Sequence, residues 1–114
     1  MLELSADRTV GRLPVDGNHQ PYGLLHGGAS AVMVESLGSM AAAAHGYPDR
    51  VPVGVDLNIT HLRPVRSGWI TGVATPLLLG RSTTVHSVTI TDDEGNHTAI
   101  GRITCRLLPA SPKD

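Results

Sequence analysis

The sequence predicts an α+β domain in which a curved antiparallel sheet wraps one long helix. Three observations carry that reading. The stretch HGGASAVMVESLGSMAAAAH, from His26 to His45, is rich in Ala, Leu and Met and long enough for several helical turns. After Pro48 the chain alternates apolar with small or polar residues in successive runs, the period of a strand. The links between those runs are short, which favours antiparallel neighbours with the helix against one sheet face.

Taken in order, the segment up to about Val15 reads as a strand or two, with Pro14 marking an edge or an end. The run DGNHQPYG, Asp16 to Gly23, collects turn residues and forms a loop. The helix runs from Gly27 to His45, with Gly46 as its stop and Pro48 soon after. Its apolar residues cover nearly the whole circumference, so burial on most sides is expected. Val51, Val53, Val55, Leu57 and Ile59 then alternate as a strand with one buried face. Further strands are expected over 68–79, 82–91 and 97–108. They are separated by the Arg63 to Gly68 segment, by Gly80 and by DDEGN at 92–96, the last a hairpin signal. No repeat or linker divides the 114 residues, so one domain over 1–114 is expected, fraying from about 109 to 114.

Composition removes several function classes. A net charge of −1 argues against nucleic-acid binding, which draws its affinity from clustered Lys and Arg. Lys113 is the only lysine, so an anionic ligand would be gripped locally by guanidinium groups. The longest apolar stretch carries Glu35 and falls short of the roughly 20 residues that span a bilayer, so no membrane partner is expected. The N-terminus lacks the pattern of a secretory signal, and a single cysteine excludes an internal disulfide, which makes the cytoplasm the expected location. The six histidines show no ligand spacing, so neither metal nor cofactor is expected. Cys105, with Ile103 and Leu107 on its own face of the last strand, reads as a core residue, and Arg102, Thr104 and Arg106 as the opposite, wet face.

Glu35 stands out as the lone acid inside an apolar helix, where an ionised carboxylate is expensive without partners. Sequestered from water, such a group is a better general base near neutral pH than a solvated one. Ser39 follows one turn later on the same face, placed to bond Glu35 or a water between them. At the helix start, Gly27 and Gly28 offer free N–H groups and the positive end of the dipole, a site that can polarise a carbonyl and hold a developing oxyanion. His26 precedes them, placed to fix the loop or the substrate. Gly27 and Glu35 are eight residues apart, about 12 Å along one helix at 1.5 Å per residue. One carbonyl cannot touch both, so their joint action requires Glu35 from an antiparallel helix of a second subunit in an isologous dimer.

The segments LLHGGASAVMVESLGSMAA and VGVDLNITHLRPVRSGWITGVATPLLLGRS, with the terminal pair of strands, resemble the hotdog-fold acyl-CoA thioesterases. The nearest types are the phenylacetate-degradation, Arthrobacter-type 4-hydroxybenzoyl-CoA and 1,4-dihydroxy-2-naphthoyl-CoA thioesterases. The resemblance covers roughly Gln20 to Leu108. It implies a hotdog fold, hydrolysis of a coenzyme A thioester and a homodimer with composite sites, pairing further into a homotetramer. It also implies roles for residues: Gly27 as oxyanion amide beside His26 and Gly28, Gln20 orienting the thioester, and Glu35 with Ser39 of the partner subunit directing attack. A further His on the following strand is met by His61. Arg63 and the turn Gly80-Arg81-Ser82 are implied to approach the phosphates or nucleotide of coenzyme A. Whether Glu35 attacks directly or deprotonates a water is left open.

Plainer readings exist for each residue. Glu35 can serve as an interface carboxylate, Gly27-Gly28 as a tight turn, and Ser39 as a donor to the carbonyl four residues back. Gln20 can be an ordinary loop residue, His61 and His26 can be surface or helix-entry residues, and Arg63 and Arg81 surface charges at turns. Two alternatives keep the fold: a non-catalytic acyl-CoA-binding module, and a dehydratase or hydratase acting on the acyl chain, whose chemistry usually wants a different local motif.

Overall fold

The computed structural model describes residues 2–21 and 23–110; Tyr22 and the end of the tail, 111–114, lie outside them. The described residues form strand β1 (Thr9–Pro14), helix α1 (Gly27–Gly46), and strands β2 (Arg50–His61), β3 (Trp69–Leu79), β4 (Thr83–Thr91) and β5 (His97–Pro109). Every strand pairing is antiparallel, in the order β1-β3-β4-β5-β2, and α1 packs on one face of this curled sheet. The element boundaries agree with the expected ones to within a few residues. Because β1 and β2 are the two edges, the helix between them carries the chain from one side of the sheet to the other.

The expected hairpin closes at Asp92–Asn96, where the Asp92 carboxylate accepts from the backbone N–H groups of Glu94 and Asn96. Those bonds, the one from Asn96 first, hold its carboxyl below the usual carboxylate range. The end of β5 departs from expectation. Pro109 pairs with Arg50, and the Ala110 N–H bonds the Asp49 carbonyl, so these two residues are held and do not belong to a frayed tail.

Two expectations about burial are corrected. Helix α1 buries one face only, through Ser30, Met33, Val34, Leu37, Gly38, Ala41 and Ala42. Val32 and Met40 on its far side are exposed, because a single open sheet covers one side of a cylinder and the residues opposite face water. The apolar stripe was invisible in the sequence because the uncovered side is also Ala, Val and Met. Strand β2 likewise lacks the buried face its alternation suggested. Val51, Val53, Val55 and Leu57 are 39% to 59% exposed: Val51 and Val53 sit opposite exposed Leu108 and Arg106 on the sheet face away from α1, and Leu57, opposite buried Ile103, lies on the helix side of an edge strand. A bulge at Val55, where the register shifts between Gly54 and Asp56, also interrupts its pairing with β5.

The helix sits close to the sheet. A Cβ on Gly38 would land on the Ile103 Cγ2 methyl of β5, and one on Gly72 of β3 would lie 2.6 Å from Leu37 Cδ1. A side chain at Gly38 would therefore force the helix and β5 apart, and one at Gly72 would require Leu37 and Met33 to repack, independently of backbone torsion. Ile70, Ala74, Val88, Ile90, Ala99, Ile103 and Leu107 form the sheet side of the core beneath Met33, Val34 and Leu37. His86 of β4 is fully buried in the same layer and bonds the Ala6 carbonyl at 3.0 Å through Nε2, which ties the N-terminal segment to the sheet. Gly38→Ala is expected to destabilise the protein by about 1–3 kcal/mol through overpacking, read as a lower urea midpoint with unchanged slope. Wild-type stability in that variant would contradict the close seating of α1.

Candidate active site

The turn from Gln20 to Leu24 leads into α1. The Gln20 N–H bonds the Leu24 carbonyl at 2.7 Å, Gly23 returns an N–H to the Gln20 carbonyl at 3.0 Å, and Gly23 holds φ at +83°, a conformation suited to glycine. The His26 N–H bonds the Asn18 carbonyl, and its ring then caps the helix, Nδ1 accepting from the Gly28 N–H at 3.0 Å. Of the two glycine amides expected at the helix start, one is thus satisfied internally. Among the described residues, no acceptor within the chain takes the Gly27 N–H. The first helical turn carries no acidic residue, so the positive end of the dipole is left uncompensated there.

Across from Gly27 stands His61, at the end of β2. A Cβ on Gly27 would lie 3.1 Å from His61 Nε2, so the imidazole rests against the glycine. Arg63 follows, its N–H bonded to the Thr98 carbonyl and its guanidinium to the His97 carbonyl at 3.0 Å. Gln20, Gly27, His61 and Arg63 line a single cleft of about 340 Å³. Sequence reasoning missed two polar members of its wall, Ser30 and Thr98, both 3% exposed. Ser30 lies one turn from Gly27 on the same helix face, a spacing that signals it. Thr98 is brought in only by the pairing of β2 with β5 and has no local signal.

Glu35 and Ser39 are not in this cleft. The Glu35 carboxylate lies over β2, where a Cβ on Gly54 would be 3.5 Å from Oε2, beside the bulge at Val55. Expected to be sequestered, Glu35 is exposed in the single chain, because the helix flank that bears it extends past the cover of the sheet. Ser39 Oγ is 3.9 Å from the Cys105 sulfur, and that is its only hydrogen bond among the described residues. Cys105 is 1% exposed, with Ile103 and Leu107 buried on its face as expected.

The turn Gly80-Arg81-Ser82 lies at the other end of the helix. There His45 bonds the Gly80 carbonyl at 2.9 Å, and Gly80 and Arg81 share a second cleft of about 390 Å³ with Tyr47, Asp49 and Arg50. Some 20 helical residues, about 30 Å at 1.5 Å each, separate the two clefts. One chain therefore does not bring Arg81 to the cleft of Gly27 and Arg63.

Comparison with known proteins fits this arrangement of fold and cleft, as the family profile of the thioesterase superfamily matches residues 22–99. The chain belongs to that superfamily. It is similar to the proofreading thioesterase EntH of Klebsiella pneumoniae, 44% identical over 105 residues that make up 91% of this chain and 74% of that protein. A thioesterase structure from Haemophilus influenzae superposes with a TM-score of 0.88 at 38% identity, covering 90% of this chain and 73% of that one. An esterase-named relative from Vibrio cholerae is 45% identical over 94 residues, 82% of this chain, and the match spans 63% of that protein's length. The hotdog fold expected from the sequence is that of these superfamily members. Among the described residues, no group of three His, Cys, Asp or Glu is placed to hold a metal ion, and no helix is long and apolar enough to cross a membrane.

The thiol beneath this superfamily site has a measurable consequence. Burial first, then the Glu35 charge, push the Cys105 thiol up, against the opposing hydroxyls of Ser39 and Thr84. Cys105 should therefore resist Ellman's reagent in the native protein at neutral pH and react fully once denaturant is added. Because its folded value is raised, the thiol's contribution to stability is present at neutral pH and fades as pH rises past the ordinary thiol range. Rapid labelling without denaturant would contradict this burial.

Proposed function

We propose that the protein is an acyl-CoA thioesterase that hydrolyses a coenzyme A thioester to a free acid and coenzyme A. The observation that carries this reading is the unused Gly27 N–H, set at a helix N-terminus in a cleft shared with Gln20, His61 and Arg63, in a chain of the thioesterase superfamily. The thioester carbonyl oxygen accepts from Gly27, which polarises the carbonyl and holds the charge that develops on oxygen during attack. The Gln20 side chain orients the thioester, His61 packs beside it, and His26 and Gly28 hold the turn in place. Arg63 takes the phosphates, and Gly80-Arg81-Ser82 the nucleotide end, in the assembled protein.

Glu35, with Ser39 beside it, directs the attack from the partner subunit. Either the carboxylate takes a proton from a water that adds to the carbonyl carbon, or it adds itself and water then cleaves the mixed anhydride. In both routes the carbon–sulfur bond breaks and the coenzyme A sulfur leaves to be protonated. No cofactor is needed, coenzyme A being part of the substrate.

The partner is a second copy of this chain. The unpaired outer edge of β2, with the Glu35 flank over its helix-side face at Gly54 and exposed Val51 and Val53 on its other face, supports a two-fold pairing. The same proposal includes a tetramer of two such dimers and a location in the cytoplasm, in keeping with a free thiol at Cys105.

A panel of acyl-CoAs with free-thiol detection tests the activity. Glu35→Gln is expected to lower kcat by about 100-fold or more while the dimer persists. With Gly27→Ala as the control for crowding of His61, Gly27→Pro removes the amide hydrogen at a first-turn position that follows a residue with ψ of 131° suited to proline. It is expected to cost about 100- to 1,000-fold. Full release by Glu35→Gln would remove that residue from its role. Tight binding of acyl-CoA without any release would favour a non-catalytic binding module.

A further inference from the structure

We propose that Ser30 is a specificity-determining residue whose hydroxyl hydrogen-bonds a hydroxyl on the β carbon of the acyl group, so that β-hydroxyacyl thioesters are cleaved in preference to unsubstituted ones. This rests on the thioesterase reading and names a substrate class for that same site.

Ser30 is the polar group in the cleft that the fold leaves unused. It is 3% exposed and lines the cleft of about 340 Å³ together with Gly27, one turn before it on α1. Its hydroxyl makes no hydrogen bond among the described residues. A serine inside a helix commonly turns its proton to the carbonyl four residues back, here that of His26. That bond is not made, and the His26 carbonyl takes the Ala29 N–H at 3.0 Å. Among the described residues, the fully enclosed polar side-chain atoms without a partner are Thr84 Oγ1 and His86 Nδ1. The unpaired Ser30 Oγ is not one of them, so it still meets open space, and the space it borders is the cleft.

The rest of the wall sets this serine apart. Leu24, Leu25, Pro64 and Val65 make the cleft largely apolar, as suits an acyl chain. Thr98 carries the other buried hydroxyl and donates it to the Ile90 carbonyl at 3.4 Å. Its proton is spent, so it presents lone pairs alone. A substituent that meets both residues finds a donor in Ser30 and an acceptor in Thr98. A hydroxyl satisfies the two, whereas an oxo or carboxylate oxygen has no proton for Thr98. A plain alkyl chain would seal the Ser30 hydroxyl away from water unpaired, which is costly.

Helix geometry places the substituent. Residues three apart share a helix face at about 5–6 Å, and helical side chains lean toward the N-terminus. The Ser30 hydroxyl is thereby carried back toward the Gly27 amide. With the thioester carbonyl oxygen on that amide, an oxygen on the α carbon stays beside the carbonyl. One on the β carbon reaches across the gap to the serine. Ser30 is buried where Arg63 is exposed, which assigns the serine to the acyl end and not to the coenzyme A arm.

Free-thiol release by the full chain tests this with butanoyl-CoA and the two enantiomers of β-hydroxybutanoyl-CoA, which match it in length. One enantiomer is expected to exceed both other esters in kcat/KM by about five- to tenfold, the effect of one neutral hydrogen bond. Ser30→Ala should erase that advantage and bring the three esters level. The urea midpoint of the same variant should match or exceed that of wild type, because alanine favours helix and removes an unpaired hydroxyl.

Equal cleavage of the three esters by wild type, or an advantage that survives Ser30→Ala, would overturn the proposal. So would a lowered urea midpoint, which would mean that the hydroxyl is bonded within the protein, or cleavage of other acyl-CoAs with neither β-hydroxy ester accepted. In each case thiol release from some acyl-CoA leaves the thioesterase reading standing. Release from none would overturn both.

Discussion

The rigid seating of α1 on the sheet is the constraint from which the functional account follows. Contact at Gly38 and Gly72 seats the helix directly on the sheet, and the apolar layer beneath it spans β3, β4 and β5. A helix held in this way cannot bend to bring its own ends together. The Gly27 amide and the Glu35 carboxylate therefore stay about 12 Å apart along its axis, the spacing of eight helical residues. Within the chain they also face different surroundings: Gly27 opens into the cleft with His61 and Arg63, whereas Glu35 lies over Gly54 at the edge strand. Chemistry that needs both groups on one carbonyl has to draw them from two copies.

Seen this way, the two surfaces a single chain leaves uncovered have a common origin. An open sheet with a helix on one face must end in edge strands, and here the edge nearest Glu35 is β2, with its row of exposed valines. The bulge at Val55 falls where Glu35 approaches Gly54, so pairing is interrupted at the place where the carboxylate crosses the strand. Exposed Val32 and Met40 mark the other uncovered side of the helix.

Much of this was legible in the sequence, and the reasons are local. Helix α1 announces itself by composition and by the glycines at its ends, and β3, β4 and β5 by alternation bounded by turn residues. Gln20, Gly27 and His61 were singled out in advance, and the fold brings them to one cleft. What could not be read depends on the third dimension. The alternation of β2 says which residues share a face but not that the strand is an edge. The helix composition hides its buried stripe because both sides are apolar. Ser39 was paired with Glu35 by helical spacing, yet its bonded neighbour is Cys105, 66 residues away and placed there only by the register of β5. The Gly80-Arg81-Ser82 turn was joined by resemblance to the same ligand, while the length of α1 sets it at the far end of the chain's own helix.

Mixing two defective proteins tests the divided site most directly. Glu35→Gln and Gly27→Pro, each assayed alone and then unfolded and refolded together in equal amounts, yield mixed dimers as about half of the population. Each mixed dimer holds one site with both groups intact, so thioester cleavage should return to about a quarter of the wild-type level. A mixture that stays as inactive as its components, although mixed dimers have formed, would contradict the account.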